Sequence, residues 1–259
     1  MKKALIVLEK EWLELRLQPT LLLATLILPP LITAFALLAF FVVGKLSGDI
    51  GRPSTPLPPE FAGLSVLEVG QALVGKQFST LFLLLPIFIP SVLASYAIVG
   101  EKRERTLEPV LATPIRTWEL LLGKMLSALI PALGITIVSA ALFVAGVLAF
   151  AVTDRVRALI VTPGWILAVL VDTPLLALIG VALIVVLSSR VNDPRTAQQI
   201  SAVLIVPVLG LLFGQLAGLV VLAPALALGI GAILALIAAA ALWFAARLFQ
   251  REVILTRWR

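Results

Sequence analysis

The chain has 259 residues, 61% hydrophobic and 13% charged, and its mean hydropathy of +1.14 lies far outside the range of soluble domains. It contains no Cys and no His, so we expect no disulfide framework, no metal site and no catalytic residues of the usual kinds. The net charge of +6 could indicate nucleic acid, but in an integral membrane protein basic residues more often report orientation, and we expect no nucleic-acid partner.

Residues 1–19 form the first predicted element, an interfacial amphipathic helix. One helical stripe is apolar and consists of Leu5, Leu8, Trp12 and Leu15. A basic amphipathic segment with a Trp is typical of a helix that lies in the membrane interface. A signal peptide is the competing interpretation, but its apolar core would end at Glu9 and would be too short.

Residues 20–259 form one predicted domain of six transmembrane helices, because each apolar run reaches the roughly 20 residues that cross a bilayer. The first four spans are about 20–44, 80–99, 125–152 and 163–187. The apolar run at 197–246 turns back near Pro224 and supplies spans five and six. A long connection at 45–79 separates the first two spans. The predicted fold class is therefore an all-α integral membrane protein.

The sequence GQALVGKQ at 70–77 is close to a phosphate-binding P-loop. A P-loop ends in Ser or Thr, whose hydroxyl ligates Mg²⁺, and it follows a buried strand. Gln77 and the membrane context meet neither condition, so we expect no nucleotide site in this chain.

Basic residues are distributed unequally between the two sides of a six-span topology. Fifteen fall on the side of the termini and of segment 100–124, and five fall on the other side. The positive-inside rule therefore places both termini and segment 100–124 in the cytoplasm, and the 45–79 connection outside. The predicted location is the cell membrane, which the chain crosses several times.

Segment 100–124 holds nine charged residues of both signs between two apolar runs. Pairs such as Glu101 and Arg105 stand four residues apart, where helical side chains can meet. Thr106 and Thr113 are candidate N-caps, which would place Pro109 in the first turn of one helix and Pro114 at the first position of the next. An ordinary solvated loop is the alternative interpretation, although the segment is longer than a connector needs and keeps apolar side chains that could dock on a partner.

This segment resembles the permease subunits of type-2 ATP-binding cassette exporters. The resemblance rests on Glu101, TLE at 106–108, LATPI at 111–115, WEL at 118–120 and GK at 123–124. It implies that residues 100–124 form a coupling segment that docks on a separate ATPase subunit. The candidate coupling residues are Glu101, Arg105, Leu107, Glu108, Val110 and Leu111.

The resemblance also implies how the chain works. The permease would dimerise with an identical copy or a homologue in the lipid bilayer, and two ATPase subunits would bind ATP and Mg²⁺ and drive a substrate out of the cytoplasm. This chain would hold no cofactor and would not itself be an enzyme. The alternative is a stand-alone channel or secondary transporter, and a membrane-embedded enzyme is a distant third.

Three glycines of span five, Gly210, Gly214 and Gly218, repeat at a spacing of four and form a smooth stripe. Such a stripe allows another helix to approach closely, either within the chain or from a second subunit. The resemblance favours the subunit contact, because spans one and five line the dimer interface in these permeases.

Asp172 is the single carboxylate in the middle of an apolar run. A charge at the bilayer centre costs about 2.5–3.5 kcal/mol, so such residues usually face a cavity or a partner. In the channel or transporter alternative, Asp172 would be the ion or proton site. It could equally be the N-cap of a broken helix that begins at Thr173 and Pro174.

Overall fold

The computed structural model describes residues 2–46, 59–104, 115–188, 191, 193–216 and 223–248, and every regular element in these ranges is a helix. Six helical segments are long and apolar enough to cross a membrane, and an additional helix precedes them. This confirms the predicted all-α membrane fold class. The sidedness of the termini and the domain limits stay predictions.

The helices are named in chain order. They are α1 (Lys2–Leu17), α2 (Pro19–Leu46), α3 (Val66–Leu81), α4 (Leu85–Ser95), α5 (Glu101–Glu104), α6 (Thr117–Phe150), α7 (Asp154–Ile160), α8 (Pro163–Leu167), α9 (Thr173–Ser188), α10 (Pro194–Ser201), α11 (Ile205–Leu216) and α12 (Pro224–Leu248). A 3₁₀ turn joins α3 to α4, and π-helical turns join α4 to α5 and α8 to α9, so each of these sets forms one spanning segment.

The second spanning segment, Val66–Arg103, lies at the centre of the packing and is the most buried of the six. Its 38 residues correspond to a length of about 57 Å, which exceeds the roughly 30 Å hydrocarbon core. The helix begins earlier than the span expected from about residue 80. Ser65 and Glu68 form a reciprocal capping box there, and Val69 and Ala72 bury an apolar face, so residues of the predicted connection extend the span.

Helix α1 packs along α6 through a stripe that differs from its apolar one. Its buried residues are Ala4, Val7 and Glu11, whereas Leu5 of the predicted stripe is 60% exposed. A Cβ atom on Gly123 of α6 would lie 2.7 Å from Val7 and 2.8 Å from the carbonyl oxygen of Ala4. Gly123 therefore permits the close approach that turns Glu11 inward, while the apolar stripe stays on the neighbouring face.

The opposite end of the bundle is joined by one buried amide, that of Gln71. Its Nε2 donates to the carbonyl oxygens of Phe40 (3.2 Å) and Phe150 (3.1 Å), and its Oε1 accepts from the backbone N–H of Val152 (3.0 Å). The side chain is fully buried. Gln71 thus connects the ends of α2 and α6 to α3 and satisfies backbone groups that α6 leaves open where it terminates.

We predict that Gln71→Leu lowers the free energy of unfolding by about 1–3 kcal/mol, because the part-buried N–H group of Val152 loses its acceptor. Thermal unfolding of the purified protein in detergent measures the effect. Gln77→Leu on the same helix is the matched control, since no hydrogen bond involves that half-buried side chain among the described residues. Equal unfolding temperatures for the two variants would contradict the prediction.

Candidate functional site

Five charged side chains meet where α1, α5 and the start of α6 come together. We call them the ion cluster: Lys10, Glu11, Glu14, Glu101 and Lys124. Residues 105–114 of the predicted coupling segment lie outside the described residues. Glu101 precedes them by four positions and Lys124 follows them by ten. The cluster therefore lies at the base of the predicted coupling segment.

Lys124 is the centre of the ion cluster and its side chain is fully buried. Its Nζ lies 2.6 Å from Glu11 Oε1, 2.6 Å from Glu101 Oε2 and 2.7 Å from the carbonyl oxygen of Ala97. An ammonium group has three N–H donors, so three acceptors match its capacity. Ala97 belongs to the π-turn Tyr96–Gly100, so the carbonyl that accepts from Lys124 lies in an irregular part of the helix.

Lys10 supplies the second positive charge of the ion cluster. It donates to Glu101, lies 2.9 Å from Glu14 and lies 3.4 Å from Glu11. Glu101 bridges α1 and α6, because one of its carboxylate oxygens contacts Lys10 and the other contacts Lys124. Two lysines thus face two buried glutamates, so the charges of these four side chains balance.

The ion cluster shifts the pKa values of two residues of α1, Lys10 and Glu11. Burial raises the pKa of Glu11 above its ordinary value, against the pull of Lys124. For Lys10, burial acts to lower the pKa, but the hydrogen bond to Glu101 and the charge of Glu11 outweigh it and hold the pKa above its ordinary value. The lysine ammonium groups fill the space among carboxylates that lie within 4.8 Å of one another, so we assign no metal site here.

The other face of α5 is tied to the spans that follow. Lys102 Nζ donates to the carbonyl oxygens of Ser188 (2.9 Å) and Val191 (3.4 Å) at the end of α9. Arg103 lies 3.6 Å from Asp193, the N-cap residue of α10. The chain therefore enters the predicted coupling segment from an anchored position, held by α1 and α6 on one face and by α9 and α10 on the other.

The structure describes one of the six predicted coupling residues. Glu101 lies in the ion cluster, while Arg105, Leu107, Glu108, Val110 and Leu111 lie outside the described residues. Their roles stay predictions. Sequence reasoning did not join Lys10 and Glu11 to Lys124. The available signals were the small residue Gly123 before Lys124 and the position of Glu11 in register with Ala4 and Val7.

Two of the three stripe glycines lie on α11, and Gly218 lies outside the described residues. A Cβ atom on Gly210 would meet no described atom within 4 Å. The same exposed face carries the large apolar side chains Val203, Val206 and Phe213. Packing against the described residues therefore does not account for Gly210, and the role of the stripe as a subunit contact stays a prediction.

Asp172 is buried, and its Oδ1 makes no hydrogen bond to the residues that the structure describes. The helix continues through the π-turn Ala168–Asp172 into α9, with Thr173 at φ −56° and ψ −53°. Asp172 thus does not occupy the extended backbone position of an N-cap. Its Oδ1 faces Gly231 of α12, where a Cβ atom would lie at 2.9 Å. The pathway role of Asp172 stays a prediction.

We predict that Lys124→Met destabilises the protein by about 3–5 kcal/mol, because it leaves Glu11 and Glu101 buried without their shared cation. Thermal unfolding and limited proteolysis of α1 measure the loss. The double variant Lys124→Met with Glu11→Gln should be more stable than Lys124→Met, since one uncompensated charge is removed. A Lys124→Met protein as stable as the Lys2→Met control would contradict this account.

Comparison with known protein families identifies the family of this chain. The family model described as ABC-2 family transporter protein matches residues 5–230, which extend from α1 into α12. No curated protein matches the chain. The match confirms the resemblance seen in segment 100–124. The chain therefore belongs to the ABC-2 transporter family and is the membrane permease component of an ATP-binding cassette transporter, the component that partners ATP-binding cassette subunits.

Proposed function

We propose that this chain is the permease of an exporter, that it dimerises in the cell membrane with both termini in the cytoplasm, and that residues 100–124 couple it to two ATPase subunits. The observation that carries the proposal is the ion cluster. It joins Glu101 and Lys124, which flank the coupling segment, to the N-terminal helix α1. A segment that transmits force needs such a rigid base.

The base is stiff because its bonds are short, charged and buried. Lys124 holds acceptors from α1, the π-turn and α5 at 2.6–2.7 Å. Breaking a buried ion pair is costly, since each separated charge stays in a medium of low polarity. A displacement of the coupling segment would therefore move α1, α5 and the start of α6 together rather than bend the chain locally.

The ATP chemistry belongs to the partner subunits in this proposal. ATP and Mg²⁺ would bind to the two ATPases, whose approach on binding ATP would push the coupling segments. Lys102 and Arg103 add a second connection from the same base to α9 and α10. Movement of the base would thus reach spans four and five and switch the pathway between the two sides of the membrane.

The exposed face of α11 supports the dimer part of the proposal. Gly210 lies on it among apolar side chains that are at least 60% exposed in the described part of the chain, namely Val203, Val206 and Phe213. Small residues at a spacing of four let two helices approach and gain van der Waals contact in a bilayer. A second permease copy, or a homologue with a matching face, is the proposed partner of this surface.

We predict that Leu111→Asp leaves the permease inserted and dimeric but weakens its complex with the ATPase. Truncating an interface anchor often costs about 2 kcal/mol or more, which corresponds to roughly a thirtyfold loss of affinity. Detergent pull-down of the ATPase and substrate-stimulated hydrolysis in liposomes measure the effect. Leu17→Asp is the control, because it makes the same change at a side chain that is 81% exposed outside the segment.

Full binding and full stimulated hydrolysis in Leu111→Asp would overturn the assignment of segment 100–124 as the coupling element. Loss of binding in both variants would show that an added charge near the membrane surface is sufficient, and would equally count against a specific contact at Leu111.

We predict that Gly210→Leu and Gly214→Leu reduce the yield of permease dimer, because a bulky side chain separates backbones that otherwise pack closely. Chemical cross-linking in native membranes, followed by gel analysis, measures the yield. Gly134→Leu on α6 is the matched control, since a Cβ atom there also meets no described atom within 4 Å. An unchanged dimer yield in the α11 variants would assign the stripe another role.

A further inference from the structure

A cavity of about 230 Å³ lies between the C-terminal half of α1 and three membrane-spanning helices. Helix α1 contributes Trp12, Leu15 and Arg16, α2 contributes Leu22 and Leu26, and α4 and α6 supply apolar side chains such as Leu93 and Ile135. The walls are apolar apart from Arg16 and the hydroxyl of Thr25, which is already bonded to the carbonyls of Leu21 and Leu22.

Arg16 is the charged group at this cavity. It is exposed, it lies in the last turn of α1, and no carboxylate of the described residues lies within 4 Å of it. Three other charged residues of the same helix, Lys10, Glu11 and Glu14, already form ion pairs, and Lys10 is also paired with Glu101 of α5. A guanidinium with free donors beside an apolar slot is suited to an anionic head group attached to a hydrocarbon chain.

A hydrogen bond to the backbone of α6 fixes Trp12, one of the residues that line the cavity. Pro131 of α6 has no N–H, so the carbonyl oxygen of Ser127, one turn earlier, loses its helical donor. The indole Nε1 of Trp12 donates to that oxygen at 3.4 Å. The proline thus provides an acceptor that orients Trp12, and both residues then line the cavity.

We propose that this cavity binds one acyl chain of an anionic phospholipid from the leaflet next to α1, with the lipid phosphate paired to Arg16. The volume is below the 300–1,000 Å³ of common ligand pockets, and it suits part of a chain rather than a whole lipid. A basic residue at the end of an amphipathic helix is attracted to anionic head groups, which supplies the complementary charge. The bound chain would fill the space under α1 and hold this helix against α2 and α6.

Photo-crosslinking in liposomes tests the proposal. The purified full-length protein is reconstituted with phosphatidylglycerol that carries a diazirine at the end of one acyl chain, and labelled peptides are identified by mass spectrometry. The expected result is label on cavity residues such as Leu93 and Ile135. An excess of unlabelled phosphatidylglycerol should remove this label, whereas the same excess of phosphatidylcholine should leave most of it.

Arg16→Gln should lower the cavity label about fivefold, the factor expected for one basic residue near an anionic surface. Arg16→Lys, which keeps the charge, should retain most of it. Lys2→Gln removes the same charge from the same helix outside the cavity lining and should change little. Leu26→Phe, which places a ring in the slot at a side chain already 44% exposed, should lower the label without removing the charge.

The proposal is overturned if the cavity peptides carry no more label than the exposed faces of α11. It is also overturned if phosphatidylcholine competes as well as phosphatidylglycerol, because the site would then take any hydrocarbon chain. Equal labelling of Arg16→Gln and Lys2→Gln would exclude Arg16 as the head-group ligand. Far-ultraviolet circular dichroism of each variant confirms that the helices persist, so a loss of label reports the site.

Discussion

The structure depends on one buried cation, Lys124, and on the three acceptors that surround it. A lysine ammonium cannot be placed in an apolar bundle unless its charge and its three donors are satisfied. Glu11, Glu101 and the carbonyl oxygen of Ala97 meet both conditions at 2.6–2.7 Å. These acceptors come from α1, α5 and a π-turn, so satisfying one side chain determines how three elements meet.

Irregular helix backbone recurs at the polar positions of this protein. The π-turn at Tyr96–Gly100 presents the carbonyl that Lys124 binds, and the π-turn at Ala168–Asp172 carries the buried carboxylate of Asp172. Pro131 cannot donate to the carbonyl oxygen of Ser127, which therefore accepts from the indole N–H of Trp12. In a membrane, an unpaired backbone group costs several kcal/mol, so such irregularities persist only where a side chain or a neighbouring helix compensates for them.

The two ends of the bundle are held together by different kinds of interaction. Gln71 joins α2, α3 and α6 with neutral hydrogen bonds at the end remote from the coupling segment. The end next to that segment is joined by ion pairs, which are stronger than neutral hydrogen bonds and act over longer distances. In the proposed exporter, the charged end receives force from the ATPases, while the neutral end holds the bundle together. The lipid proposed beneath α1 would support the same end from the membrane side.

The amino-acid sequence alone determined the membrane class, the six apolar spans and the family resemblance, because apolar run length and the pattern of segment 100–124 are local properties. It also indicated that α1 is an amphipathic helix. Local pattern did not predict which face of α1 is buried, since that depends on Gly123 and Lys124, more than a hundred residues away. The sequence likewise left open whether Asp172 caps a broken helix, and only the continuous backbone shows that it does not have that position. Pairings such as Glu11 with Lys124 are decided by tertiary packing, because a buried charge is satisfied by whichever partner the fold brings within reach, and distance along the chain carries no information about that.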